Sequence, residues 1–152
     1  MPAASEPTAG PVPLPRTWRP LGTAVAAAFS SATVLVAMLA AWFLLDAEVR
    51  ANFSWFQRIT MLLLLAGAGA VLWGVVRCRV TATSDGLVVV NGYRRYAYDW
   101  AQVVAVRMPD GAPWATIDLS DGTARPAIGI QASDGSRART AVRELREVID
   151  AS

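Results

Sequence analysis

The sequence predicts an α+β membrane protein: a two-helix transmembrane hairpin, then a small antiparallel β domain closed by one amphipathic helix. Three observations carry this. Residues 21–45 are an unbroken run of 25 without a charged side chain, and residues 59–76 are a second run of 18. Each is long enough to cross about 30 Å of hydrocarbon at 1.5 Å per residue. Beyond Cys78 the pattern changes to short runs rich in valine, isoleucine, threonine and aromatics, punctuated by Asp-Gly and Asn-Gly pairs.

Composition agrees. Of the 152 residues, 54% are hydrophobic, and the mean hydropathy is +0.36, above that of a soluble domain. All basic residues are arginine, and the net charge is only +2, which gives no basic footprint for nucleic acid. The single cysteine, Cys78, permits no internal disulfide.

In chain order, residues 1–20 hold six prolines (Pro2, Pro7, Pro11, Pro13, Pro15, Pro20). Proline removes a backbone donor and fixes φ, so an extended, disordered tail is expected, with residues 11–15 as a possible proline-reading ligand. The first span, 21–45, exceeds the 7–15-residue apolar region of a signal peptide and is followed directly by a second span, which favours an anchor. Arg16, Arg19, Arg77 and Arg79 flank the hairpin outside its loop. The loop, 46–58, holds Arg50 and Arg58 offset by Asp46 and Glu48. Four arginines against two predict both termini in the cytoplasm at the plasma (inner) membrane. Trp18 and Trp73 are then expected near the inner interface, and Trp42, Phe43, Trp55 and Phe56 near the outer one. Ala24, Ala28 and Ala32, and Ala66, Ala70 and Gly74, repeat every four residues, a spacing at which two helices approach closely in lipid. Neither span carries an ionisable residue, so the hairpin reads as an anchor and not a transport path.

Residues 77–152 form the remaining domain. Strands are expected at 79–83, 87–90, 93–98, 103–108, 114–119 and 123–130. Asp85-Gly86, Asn91-Gly92, Asp110-Gly111 and Asp121-Gly122 mark the turns. A two-residue turn at Asp121-Gly122 would set Leu119 against Ala124, Asp118 against Arg125 and Ile117 against Pro126. Ala115, Ile117, Leu119, Ala124, Ile128 and Ile130 would then face the core, with Trp114, Thr116, Asp118 and Arg125 on the other side and an Asp118–Arg125 ion pair. Asp99-Trp100-Ala101-Gln102 has capping-box spacing and predicts one helical turn. Ala138, Ala141, Val142, Leu145, Val148 and Ile149 recur at helical spacing, giving a closing helix N-capped by Ser133 or Asp134.

This order of elements resembles the small membrane-anchored bacterial proteins with a pleckstrin-homology-like (PH-like) domain, of the high-GC Gram-positive type. The matching stretches are Arg79-Val80-Thr81-Ala82, Asp85-Gly86-Leu87-Val88-Val89, Asn91-Gly92, residues 99–106, the run 111–123 with its Ala112-Pro113-Trp114 segment, and residues 138–145. The resemblance implies a split barrel or sandwich capped by a helix and used for binding, without catalysis. Eukaryotic relatives that bind phosphoinositides place basic residues around the first hairpin loop. The sequence taken for that loop, Ser84-Asp85-Gly86, carries an acid and no base.

Chemistry points the same way. There is no histidine, and no phosphate-binding glycine loop, serine elbow or metal-ligand cluster. Cys78 has Arg77 and Arg79 beside it but no base to pair with. No catalytic, cofactor-binding or metal residue is assigned, no cofactor is expected, and neither a small-molecule substrate nor nucleic acid is an expected partner. The expected function is non-catalytic protein interaction or self-association at the bilayer, with Trp114 as anchor and Arg107 and Arg125 beside it. The alternative is anionic lipid headgroup sensing through Arg77, Arg79, Arg94 and Arg95.

Overall fold

Four helices, two of them long, and seven short strands are found in residues 12–152, the part of the chain described in this computed structural model. Helix α1 spans Leu21–Leu44 and α3 spans Trp55–Val76, with a short α2 (Ala47–Ala51) between them. Both long helices are long and apolar enough to cross a membrane. Their surfaces have the same character: α1 buries no residue and α3 buries only Gly74. The outward leucines, valines and phenylalanines leave both helices with a continuous apolar surface. At the far end of the hairpin, Arg58 donates to the carbonyls of Arg50 (3.0 Å) and Phe53 (3.2 Å). Its guanidinium lies between Trp42 and Trp55, at 5.9 and 5.4 Å from their ring centroids.

The strands are β1 (Arg16–Trp18), β2 (Arg79–Ala82), β3 (Gly86–Asn91), β4 (Arg94–Asp99), β5 (Val103–Arg107), β6 (Trp114–Leu119) and β7 (Ala124–Gln131). They form two antiparallel sheets, ordered β1-β2-β3-β4 and β5-β6-β7. Helix α4 (Ser136–Asp150) covers the opening, placing Ala138, Ala141, Val142, Leu145 and Val148 in the core with Val80, Leu87, Val89, Ile117 and Ile130. The expected stripe of α4 is therefore the buried one.

Strand β1 departs from the expected disordered tail, of which residues 1–11 lie outside the described residues. Arg16-Thr17-Trp18 pairs antiparallel with β2, with Trp18 opposite Val80. Trp18 is a core residue, only 7% exposed, and not an interfacial one. Its indole N–H donates to Glu144 Oε2 at 2.8 Å, and the Arg16 guanidinium grips the same carboxylate at 3.0 and 3.1 Å. Val12 also packs against the core. Proline density did not prevent this because Arg16, Thr17 and Trp18 are the proline-free stretch between Pro15 and Pro20.

The whole helical hairpin is therefore an insertion between two adjacent strands of the β domain. The loop taken for the first hairpin, Ser84-Asp85-Gly86, is the second strand connection; the first contains α1, α2 and α3.

The β6–β7 register is also corrected. Asp118 faces Ala124, Ile117 faces Arg125 and Thr116 faces Pro126. The turn holds three residues, closed by Leu119 N–H to Thr123 C=O (2.9 Å), with Gly122 at φ +80. The Asp121 carboxylate accepts from the Thr123 N–H (2.8 Å) and hydroxyl (2.7 Å), which stabilises the longer turn. The one-residue shift takes Arg125 from Asp118, and Arg107 of β5 pairs with Asp118 instead. A bulge between Trp114 and Ala115 skips three residues of β7. Ala127 and Ile130 are consequently the buried pair, while Ala124 is exposed and Ile128 half-buried.

Asp99 and Gln102 form the expected capping box around a 3-10 turn at Trp100–Gln102. The N-cap of α4 is different. Gly135 precedes the helix at φ +59, and no side chain caps it. Asp134 instead accepts the Gly22 N–H of α1 at 2.7 Å, and the Thr23 hydroxyl donates to Gln131. A carboxylate of the β domain thus complements the N-terminal dipole of α1.

Candidate functional site

Strand direction sorts the β domain into two ends. The end of β1, the start of β2, the β3–β4 turn, the β5–β6 loop and the start of α4 lie beside the long helices. The other strand connections and the end of α4 lie away from them.

The helix-side end is built around one knot. Cys78, 3% exposed, takes the Gly92 N–H at 3.1 Å and donates its thiol to the Gly74 carbonyl at 3.5 Å. Gly92, at φ +62, opens the β3–β4 turn and leaves Tyr93 as its second central residue. The Tyr93 hydroxyl donates to the Ala70 carbonyl of α3. A Cβ on Gly74 would stand 3.0 Å from the tyrosine ring. Gly74, part of the small-residue stripe expected to pack helix on helix, here admits Tyr93. The turn therefore reaches about one and a half helical turns up α3, roughly 9 Å beyond its last residue at 1.5 Å per residue. Burial and structural contacts account for Cys78.

The four arginines expected as a basic patch gather at this end. The Arg77 guanidinium lies 5.8 Å from the Tyr93 ring centroid. Arg79, Val90 and Arg95 form one cross-strand row, which puts the two arginines on the same face about 10 Å apart, two strand spacings. Arg94 follows Tyr93 directly, opposite Asn91. Two further arginines join them: Arg19 and Arg137, which line one open cleft with Leu21 and the first turn of α4. More than a hundred residues separate these two, so no sequence window links them. Asp85, Asp99, Asp121, Glu147 and Asp150 occupy the opposite end. Asp110 and Asp134 lie at the helix-side end as well, where the six arginines outnumber them.

Trp114, Arg107 and Arg125 do not form one patch. Trp114 is 40% exposed and stands opposite Gln131, the residue that meets the first turn of α1. Arg107 shares its outer face but is bound to Asp118. Arg125 lies on the inward-facing row opposite Ile117, its guanidinium 5.7 Å from the Tyr96 ring centroid.

The bond from Arg107 lowers the Asp118 carboxyl below its usual range and raises the guanidinium. Bonds from Thr123 lower Asp121. Burial raises the Tyr98 phenol. The two depressed carboxyls bind protons more weakly folded than unfolded. Their contribution is complete above the unfolded value, about pH 4, and is lost as pH falls through the lower folded values. The thermal midpoint of the head is expected to fall as pH drops below about 4, and Asp118→Asn should flatten that fall. An identical slope in Asp118→Asn would remove the assignment.

Among the described residues no group of three or more His, Cys, Asp or Glu could hold a metal ion, and no side-chain set offers a nucleophile with its base. The arrangement suits binding.

Residues 77–148 match the family model described as "Bacterial PH domain". Uncharacterized proteins of Mycobacterium bovis and of two Mycobacterium tuberculosis strains are each 39% identical over 82 residues, covering 54% of this chain and 53% of theirs. The chain spans about half the length of the curated relatives it matches. No solved structure matches it.

Proposed function

We propose that this chain, whose residues 77–148 are a bacterial PH domain, is a non-catalytic membrane module whose head is held in one orientation against anionic lipid. The observation that supports it best is the insertion of the hairpin between β1 and β2. Because those strands are hydrogen-bonded neighbours, a hairpin crossing the bilayer twice must return to the side it left. The same geometry presses the arginine-rich end of the head toward the headgroups. Both termini are then on one side, and the excess of flanking arginines assigns that side to the cytoplasm at the inner membrane. The working division is a hairpin of α1 to α3 and a head of residues 77–152 completed by residues 12–18. Tyr93 and Trp114 belong to the interfacial layer, where amphipathic rings partition. Arg77, Arg79, Arg94 and Arg95 meet lipid phosphate, each worth about 1 kcal/mol near a charged leaflet. Protein interaction, the other role open to such a domain, falls to surfaces further from the bilayer.

The test uses the full chain in nanodiscs of zwitterionic lipid, with and without anionic lipid. Anionic lipid should slow amide exchange at residues 92–95. Arg94→Glu with Arg95→Glu should erase that difference without lowering the thermal midpoint. Equal exchange in both lipids for the unaltered chain would sink the lipid-facing assignment.

A further inference from the structure

The second face of α4 carries a groove whose loop wall, the β5–β6 loop, lies at the helix-side end of the head and whose helix wall runs away from it. Arg139, Arg143 and Arg146 follow one another at i, i+4 and i+7, so they form a single row along the helix. With the β5–β6 loop they wall a groove of about 400 Å³ floored by Met108, Pro109 and Val142. Little offsets their charge. Arg146 donates Nε to the Val106 carbonyl at 3.2 Å, a neutral partner that fixes the guanidinium and leaves its terminal amino groups available. Arg143 stands 4.0 Å from Glu147, with both side chains largely in solvent, a pair of little weight. Asp110 is the acid in the loop wall.

The row is strung out, not convergent. From Arg139 to Arg146 the helix advances about 10.5 Å at 1.5 Å per residue. A single phosphate would need guanidiniums aimed at one point; this spacing matches successive carboxylates of a peptide, each taking a charge-assisted bond. The direction of α4 argues against lipid. Its start lies beside Leu21, whereas its end lies beside Ser84 and Trp100 at the far end of the head. Arg143 and Arg146 therefore lie further from the long helices than Arg139 does, although the β5–β6 loop facing them lies beside those helices. A second copy is also a poor occupant. Copies in one bilayer share one height, so their acidic ends meet each other and not the groove.

We infer that this groove docks an acidic segment of a partner protein, with carboxylates along the arginine row and an apolar side chain on the Met108–Val142 floor. The inference relies on the proposed membrane orientation for setting aside lipid and a second copy, and for nothing else.

The experiment uses the full chain in nanodiscs of zwitterionic lipid and a fluorescein-labelled peptide rich in glutamate and leucine, read by polarisation. Arg139→Gln with Arg143→Gln should weaken binding roughly tenfold, the loss of one to two charge-assisted bonds, whereas Arg94→Gln with Arg95→Gln should change it less than about twofold. An unchanged melt is expected, since both groove residues are exposed. Absence of peptide binding, or equal losses in the two double variants, would overturn the inference. So would loss of the anionic-lipid exchange difference in Arg139→Gln with Arg143→Gln, which would make the groove a lipid surface. Failure of the headgroup proposal leaves the peptide measurement intact, because neutral lipid is used.

Discussion

Trp18→Ala is expected to unfold much of the head, although Trp18 lies outside the segment that matches the bacterial PH domain. The indole is buried against Val80 and donates to Glu144, so its removal deletes a large core side chain and leaves that carboxylate with one donor fewer. Truncations of this size cost about 3–5 kcal/mol, a large share of the roughly 5–15 kcal/mol that holds a domain of this size. Two measurements check it. Amide exchange in β2 and β3 should accelerate in Trp18→Ala of the full chain, while Trp73→Ala, on the outward surface of α3, should leave it unchanged. A fragment of residues 77–152 should show weak protection, because Val80 and Ala82 lose their cover and β2 becomes an open edge. Native-like protection in both the variant and the fragment would show that β1 is dispensable.

Gly129→Ala should be as damaging through a different physical cause. Gly129 sits in the bulged stretch of β7, where that strand crosses β2. An added Cβ would stand 2.6 Å from Arg79 Cα, 2.7 Å from its carbonyl carbon and 2.8 Å from Val80 N. These are backbone atoms of a paired strand, so no rotamer change relieves the contact, and the sheets must part. A cost of about 3 kcal/mol or more is expected, seen as a lowered thermal midpoint and lost protection in both β2 and β7. Gly67→Ala is the control, since nothing lies within 4 Å of the position. A Gly129→Ala melt matching that control would mean the strands do not cross as described.

The two variants mark where sequence reasoning stopped. Six of the seven strands were legible, most to within a residue or two of their ends, because valine-rich runs between turn pairs are a local signal. The α4 stripe and the Asp99–Gln102 capping box were legible for the same reason. Strand β1 was not. Three residues among prolines give no periodicity, and what makes them a strand is β2, which lies sixty residues away. The β6–β7 register was misread by one residue because Asp-Gly fits a two-residue and a three-residue turn equally well. The Asp121–Thr123 bonds chose between them. Asp134 has the residue type and position of an α4 cap, yet the fold places the start of α1 within its reach.

The candidate site divides in the same way. Arg77, Arg79, Arg94 and Arg95 could be named as a patch because turns and strand lengths already set them near one end. Arg19 and Arg137 could not, and neither could the groove between α4 and the β5–β6 loop, since its walls belong to distant segments. Trp114 and Arg125 share a face only in a register the fold does not use, and Arg107, on the face of Trp114, is bound to Asp118.

By itself the sequence determined what depends on neighbours along the chain: two apolar helices, the strands beyond Cys78, the closing helix and the match of residues 77–148 to the bacterial PH domain family. Tertiary structure alone decided that the hairpin is inserted between two paired strands, that Trp18 completes the core, and which arginines face the same way. Those outcomes depend on contacts between residues far apart in the chain. Hydrophobic spacing and turn chemistry report local preference, and only a closed core determines which distant pieces share it.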